Sequence, residues 1–131
     1  LILLDTHAWI WWVANPDQIS APARQRIETV IREDSVCISS MSCWELSLLV
    51  KKGRLDLTLS PEEWIAKSEE LPFFRFIPID NRIAIRSNDL PGDLHDDPAD
   101  RVIIATALTL GVPLITKDQK IRDYPHVETL W

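Results

Sequence analysis

Four carboxylates stand where this chain passes from a strand-like run into a helix or turn. Asp5 directly follows the apolar run LILL (1–4), and Asp118 lies two residues past VPLIT (112–116). Glu45 falls in the first turns of the helical stretch after VCIS (36–39), and Asp100 in the first turn of the one before VPLIT. Acids so far apart in sequence can share a pocket only if a sheet gathers them, and once gathered they repel one another. Either their pKa values rise or a divalent cation neutralises them. An oxygen-only donor set without a Cys/His cluster favours Mg²⁺ or Mn²⁺ over zinc. Such a site suits phosphodiester hydrolysis, in which a cation activates water and stabilises charge on the phosphoryl oxygens and the leaving group.

Each acid also has an ordinary explanation. In HDDPADR (95–101), Asp97 is a good N-cap, Pro98 fits the first helical position, and Asp100 is then an acid favoured by the helix dipole. Asp5 could be only the cap of its own helix, Glu45 a solvated helix residue and Asp118 a turn residue. Against this stands the expected meeting of all four at one predicted sheet edge.

The elements that must position them alternate. LILL (1–4), VCIS (36–39), FRFIPI (74–79), VPLIT (112–116) and a short HVETL (126–130) read as strands. Between them, helices are expected from the Asp5-Thr6 cap through Val13 and over 20–34 with Ile27, Val30 and Ile31 inward. Others are expected from Ser40 or Ser42 to a stop at Gly53, over 60–71 behind Ser60-Pro61 and Glu63, and from Asp80 to about Arg86. SNDLPGDLHDDP (87–98) reads as a loop, followed by the apolar helix that carries Asp100. Strands alternating with helices predict an α/β domain, a parallel sheet covered on both faces. Ligands bind such sheets at the carboxyl ends of the strands, where strand order reverses.

At 131 residues, 46% hydrophobic and 26% charged, the chain is long enough for one core and too apolar for disorder. Its net charge of −6 repels nucleic acid unless bound cations or local basic groups reverse the field. Cys37 and Cys43 form no ligand cluster and read as small buried hydrophobes in a reducing, cytoplasmic compartment. The opening LILLDTHAWIWWVA is interrupted by Asp5 and His7, too short and polar for a membrane span, and Leu1 is not an initiator Met. Trp9, Trp12 and Trp44 are expected in the core, with Trp11, Trp64 or Trp131 as exposed partner contacts. His7 and His95 fit capping or hydrogen bonding better than ligation. Lys51, Lys52 and Arg54 cluster at a helix end, where the dipole already favours cations; a phosphate contact is the sharper reading.

The stretches LLDTHAWIWW (3–12), SSMSCWELSLLVKKGRL (39–55), DDPADRVIIATALTLGVPLIT (96–116) and TKDQKI (116–121) together resemble the PIN-domain family, and within it the VapC-like toxin ribonucleases. The resemblance implies a single PIN domain over 1–131, a three-layer α/β/α sandwich with a five-stranded parallel sheet in the order 3-2-1-4-5. It implies a Mg²⁺- or Mn²⁺-dependent endoribonuclease acting on RNA. Asp5, Glu45, Asp100 and Asp118 match the family's acidic quartet, and Thr6 and Thr116 match flanking hydroxyl positions that help order the site. Asp96 and Asp97 offer extra carboxylates, and Arg101 could pair with a carboxylate or a phosphate. A homodimer and a small antitoxin partner are implied as well. Two alternatives remain at this point. In a phosphatase of the haloacid-dehalogenase type Asp5 would be the nucleophile, although the second acid usual two residues on is here His7. A binding module would use the acidic pocket only to hold a partner's Arg.

Overall fold

A computed structural model describes residues 1–131. Five strands, β1 (Ile2–Leu4), β2 (Val36–Ser39), β3 (Phe74–Ile77), β4 (Leu114–Ile115) and β5 (Thr129–Leu130), form one sheet in the order β3-β2-β1-β4-β5. Every pairing is parallel, with Leu3 level with both Cys37 and Leu114 and Leu4 level with Ile38 and Ile115. Strand order therefore reverses between β1 and β4, beside the central strand.

The strands read as unbroken apolar runs because both faces are covered. Ile2, Leu4, Val36, Ile38 and Ile115 join one apolar cluster, while Leu3, Cys37 and Leu114, pointing the other way, join a second. The first face packs against α1 (Thr6–Ala14), α2 (Ala21–Glu33), α4 (Pro61–Glu69) and the Leu46 side of α3 (Ser40–Lys51). The second packs against α5 (Asn81–Ser87), α6 (Pro98–Leu110) and α7 (Gln119–Arg122). This is the three-layer sandwich expected, including the strand order. Trp9, fully buried, anchors the first face, with Trp64 and Phe76 edge-on to it at centroid distances of 5.1 and 5.7 Å. Burying an aromatic of this size removes roughly 150–250 Å² from water, a stabilisation of roughly 4–6 kcal/mol.

The helices begin where the capping residues lie. Ser20, Ser60, Asp80 and Asp97 each accept a backbone N–H three residues on, and the Ser60 hydroxyl also donates to Glu63 Oε1. α6 ends at Gly111, whose φ of +67° suits a residue without a Cβ. Three strands are shorter than expected: β3 stops at Ile77, β4 starts at Leu114 and β5 spans only Thr129–Leu130. Pro78 and Pro113 account for the first two, since neither has an N–H to extend a ladder.

Two tryptophans exchange the places expected of them. Trp64 is buried against Trp9, on the side of α4 that packs inward with Ser68. Trp44 is half exposed, because Leu46 takes the inward side of α3. Trp11 and Trp131 are half-buried, their rings tilted together at 5.9 Å. No helix is long and apolar enough to cross a membrane.

Candidate active site

Parallel pairing places the first residue after β1 beside the first residue after β4. Asp5 N–H continues the ladder by donating to Ile115 O at 2.9 Å, and Thr116 follows Ile115. The Thr116 hydroxyl then donates to Asp5 Oδ2 at 2.7 Å, while accepting from the Asp118 N–H at 3.1 Å. Asp5 Oδ1 accepts from the Thr6 N–H at 2.8 Å, which caps α1. Both oxygens of this carboxylate are thus fixed by the backbone and one hydroxyl. The fully buried Thr6 hydroxyl shares a hydrogen bond of 2.8 Å with the Ser42 hydroxyl and ties α1 to α3 beside Glu45.

Asp5, Glu45, Asp100 and Asp118 line one cavity of about 440 Å³ at this carboxyl edge. Asp97 lines it too, although it also caps α6 through the Asp100 N–H at 2.9 Å. Capping and pocket formation are therefore not competing explanations for the HDDPADR segment. Asp96 is exposed and does not line the cavity.

The acids are tuned by burial. Desolvation raises Asp5, opposed by the bonds from Thr116 and Thr6. It raises Glu45 as well, opposed by the Thr6 hydroxyl, with the Asp5 charge adding to the rise. Asp100 is pushed up to about 6, first by burial and then by Asp5, Asp97 and Asp118, against the bond from His95. His95 Nε2 lies 2.7 Å from Asp100 Oδ2, the hydrogen-bonding role expected of it.

Other neighbours depart from expectation. His7 caps nothing; it lines the cavity with its ring 5.6 Å from Trp11. Arg101 pairs with no acid: its guanidinium donates to the carbonyls of Ser87, Leu94 and His95 at 2.9, 3.1 and 3.3 Å, drawing the 88–97 loop onto α6. Trp11 and Lys117 complete the cavity wall, Lys117 Nζ lying 5.6 Å from the Trp11 ring centroid. Sequence reasoning had no means of finding Lys117, since its neighbourhood with Trp11 arises only when β4 lies beside β1.

The donor set matches a hard dication. Carboxylate oxygens converge, with no thiol among the cavity-lining residues, and burial raises Cys37 and pushes Cys43 to about 11. The thiols therefore remain protonated and inert, as their apolar settings predict. As the side chains stand, no three His, Cys, Asp or Glu groups enclose an ion. Asp100 is drawn toward His95, and Asp118 Oδ1 accepts from the Lys120 N–H at 2.9 Å.

A family model described as the PIN domain matches residues 2–127. The chain is 34% identical to Ribonuclease VapC22 of Mycobacterium tuberculosis, over 99% of this chain and 98% of that protein. Among solved structures, VapBC2 from Rickettsia felis bound to a DNA fragment from their promoter aligns with a TM-score of 0.72 at 16% identity, over 98% of this chain and 96% of that one. DNA-bound VapBC from Salmonella typhimurium aligns with a TM-score of 0.70 at 22% identity, over 98% and 96%. At these identities the two structures match this one in fold.

Proposed function

Since the chain belongs to the PIN-domain family, we propose that it is an endoribonuclease that requires Mg²⁺ or Mn²⁺, the toxin of a toxin–antitoxin pair, acting as a single domain in the cytoplasm. The near full-length similarity to a named ribonuclease supports the reaction class. The carrying observation is that Asp5, Glu45, Asp100 and Asp118 line one cavity at the carboxyl ends of β1 and β4.

In this reading Asp5, Asp100 and Asp118 hold the cation, and Glu45 completes the site directly or through water. When bound, the cation supplies an activated water and neutralises charge on the phosphoryl group. Thr116 and Thr6 fix the orientation of Asp5, so that its charge is already aimed into the cavity. Lys117, held over Trp11, offers a positive charge at the rim to a phosphate entering an otherwise acidic pocket. Family membership sets aside the phosphatase with an aspartyl nucleophile.

A cavity of about 580 Å³ between α1 and α4, with Val13, Leu57, Leu59, Trp64 and Leu71 in its wall, suits the apolar side of an antitoxin segment. A basic antitoxin side chain reaching the acidic pocket would neutralise it. The chain acts as a homodimer in this reading.

The test is incubation of the protein, free of any partner, with structured and unstructured RNAs in Mg²⁺, Mn²⁺ or EDTA. Cleavage is expected with either cation and not with EDTA; cleavage that survives EDTA contradicts the proposal.

A further inference from the structure

Next to the carboxylate cavity lies a smaller one of about 180 Å³, and Glu45 and Asp97 form part of both walls. The two therefore lie side by side at the start of α6. The smaller cavity has an apolar floor of Leu48, Leu49 and Pro98, and around it stand Trp44, Lys52 and Arg54. Lys52 and Arg54 pair with no carboxylate, in a chain of net charge −6. The α3 terminus accounts for Lys52 and Arg54, whose N–H groups donate to the carbonyls of Leu48 and Leu49, but not for an apolar ring left in water. Trp44 is 50% exposed and, unlike Trp9, Trp11 and Trp64, packs against no other ring.

On the nuclease reading above, we infer that this groove carries the single-stranded RNA as it leaves the carboxylate site, with a base stacked on Trp44 and phosphates against Lys52 and Arg54. An aromatic face with adjacent cations is the arrangement that holds a strand without reading its sequence. A strand crossing the acids also needs positive charge on both sides of them. Lys117 with Trp11 supplies one side, and Lys52 and Arg54 with Trp44 supply the other. Charge also separates this groove from a protein-docking surface. A partner that puts basic side chains into the acidic cavity would be repelled by Lys52 and Arg54, whereas a polyanion is attracted. The occupant is single-stranded, because a base must leave its stack to reach Trp44.

The test measures fluorescence anisotropy of a labelled oligouridylate in EDTA, for wild type, Trp44→Ala, Trp44→Phe and the Lys52→Gln/Arg54→Gln double variant. Lys67→Gln, on the α4 side, serves as the control. Cleavage of a mixed RNA panel in Mn²⁺ is followed in parallel. The double variant should bind roughly tenfold more weakly and lower the slope of log affinity against log salt by about 1.4, about 0.7 for each lost phosphate contact on a single strand. Trp44→Ala should lose affinity by about fivefold or more, and Trp44→Phe should recover most of it. In cleavage, KM should rise with kcat unchanged. Cleavage by the wild type with affinity, slope and KM unaltered in the variants overturns the RNA groove alone. A wild type that neither binds nor cuts any RNA overturns the nuclease reading and the groove with it. A change of oligomeric state in Trp44→Ala at unchanged RNA affinity gives the groove to a second copy of the chain and overturns the inference.

Discussion

The Thr116 hydroxyl lies 2.7 Å from Asp5 Oδ2, joining the ends of β4 and β1 across 111 positions of sequence. Because the same oxygen accepts the Asp118 N–H, one side chain sets the orientation of two candidate cation ligands. Thr116→Val keeps the shape and removes the hydroxyl, leaving a buried carboxylate oxygen and an amide without partners. The expected loss is about 1–3 kcal/mol in urea unfolding, with cleavage reduced further than stability alone explains. Thr116→Ser should restore both.

Asp5→Asn separates catalysis from folding. Burial disfavours the Asp5 charge, so an amide of the same shape relieves that cost and can still accept the Thr6 N–H that caps α1. The variant should be at least as stable as wild type in thermal unfolding while losing RNA cleavage altogether. A marked fall in stability would mean that Asp5 serves mainly as a structural charge.

Acidification should act through Asp100. Its carboxyl titrates at about 6 in the fold against an ordinary value of 3.8, so the proton is held more tightly in the folded chain. For the cation-free protein this group adds stability below about pH 4, and that contribution is lost as pH rises through 6. Cation binding has the opposite sign, because the bound form needs the carboxylate: cleavage should climb up to about pH 6 and then level. His95 opposes the rise in pKa, so His95→Ala should move the acidic limb upward by up to about one pH unit. A limb that moves downward would show His95 competing with the cation for Asp100.

Arg101 holds the 88–97 loop by donating to the carbonyls of Ser87, Leu94 and His95. Arg101→Ala should therefore loosen that loop locally, costing about 1.5–3 kcal/mol. Limited proteolysis should cut within the loop well before the sheet unfolds. Because Arg101 also anchors the His95 backbone, the variant should share part of the pH shift of His95→Ala.

The strands, the covering of both sheet faces and most helix starts were legible in the chain, since apolar runs, capping residues and prolines act over a few positions; the strand order came only with the family resemblance. Asp97-Pro98 and Ser60-Pro61 mark helix starts wherever they occur. The positions of Trp44 and Trp64 were not legible: both lie in apolar segments, and only the packing of α3 and α4 on the sheet decides which ring faces Trp9. The meeting of the four acids could be inferred from strand ends, but their partners could not. His95 reaches Asp100 through a loop of no regular pattern, held in place by Arg101. Lys117 reaches Trp11 only through the pairing of β1 with β4.

Calorimetric titration with Mn²⁺ tests most directly whether the acidic cavity is a cation site. Wild type and Asp96→Asn should bind Mn²⁺ saturably and cut RNA. Asp5→Asn and Asp118→Asn should lose both together, with the fold retained by circular dichroism. Saturable Mn²⁺ binding that survives in Asp5→Asn and Asp118→Asn alike would contradict the account, because the cation would then be held elsewhere.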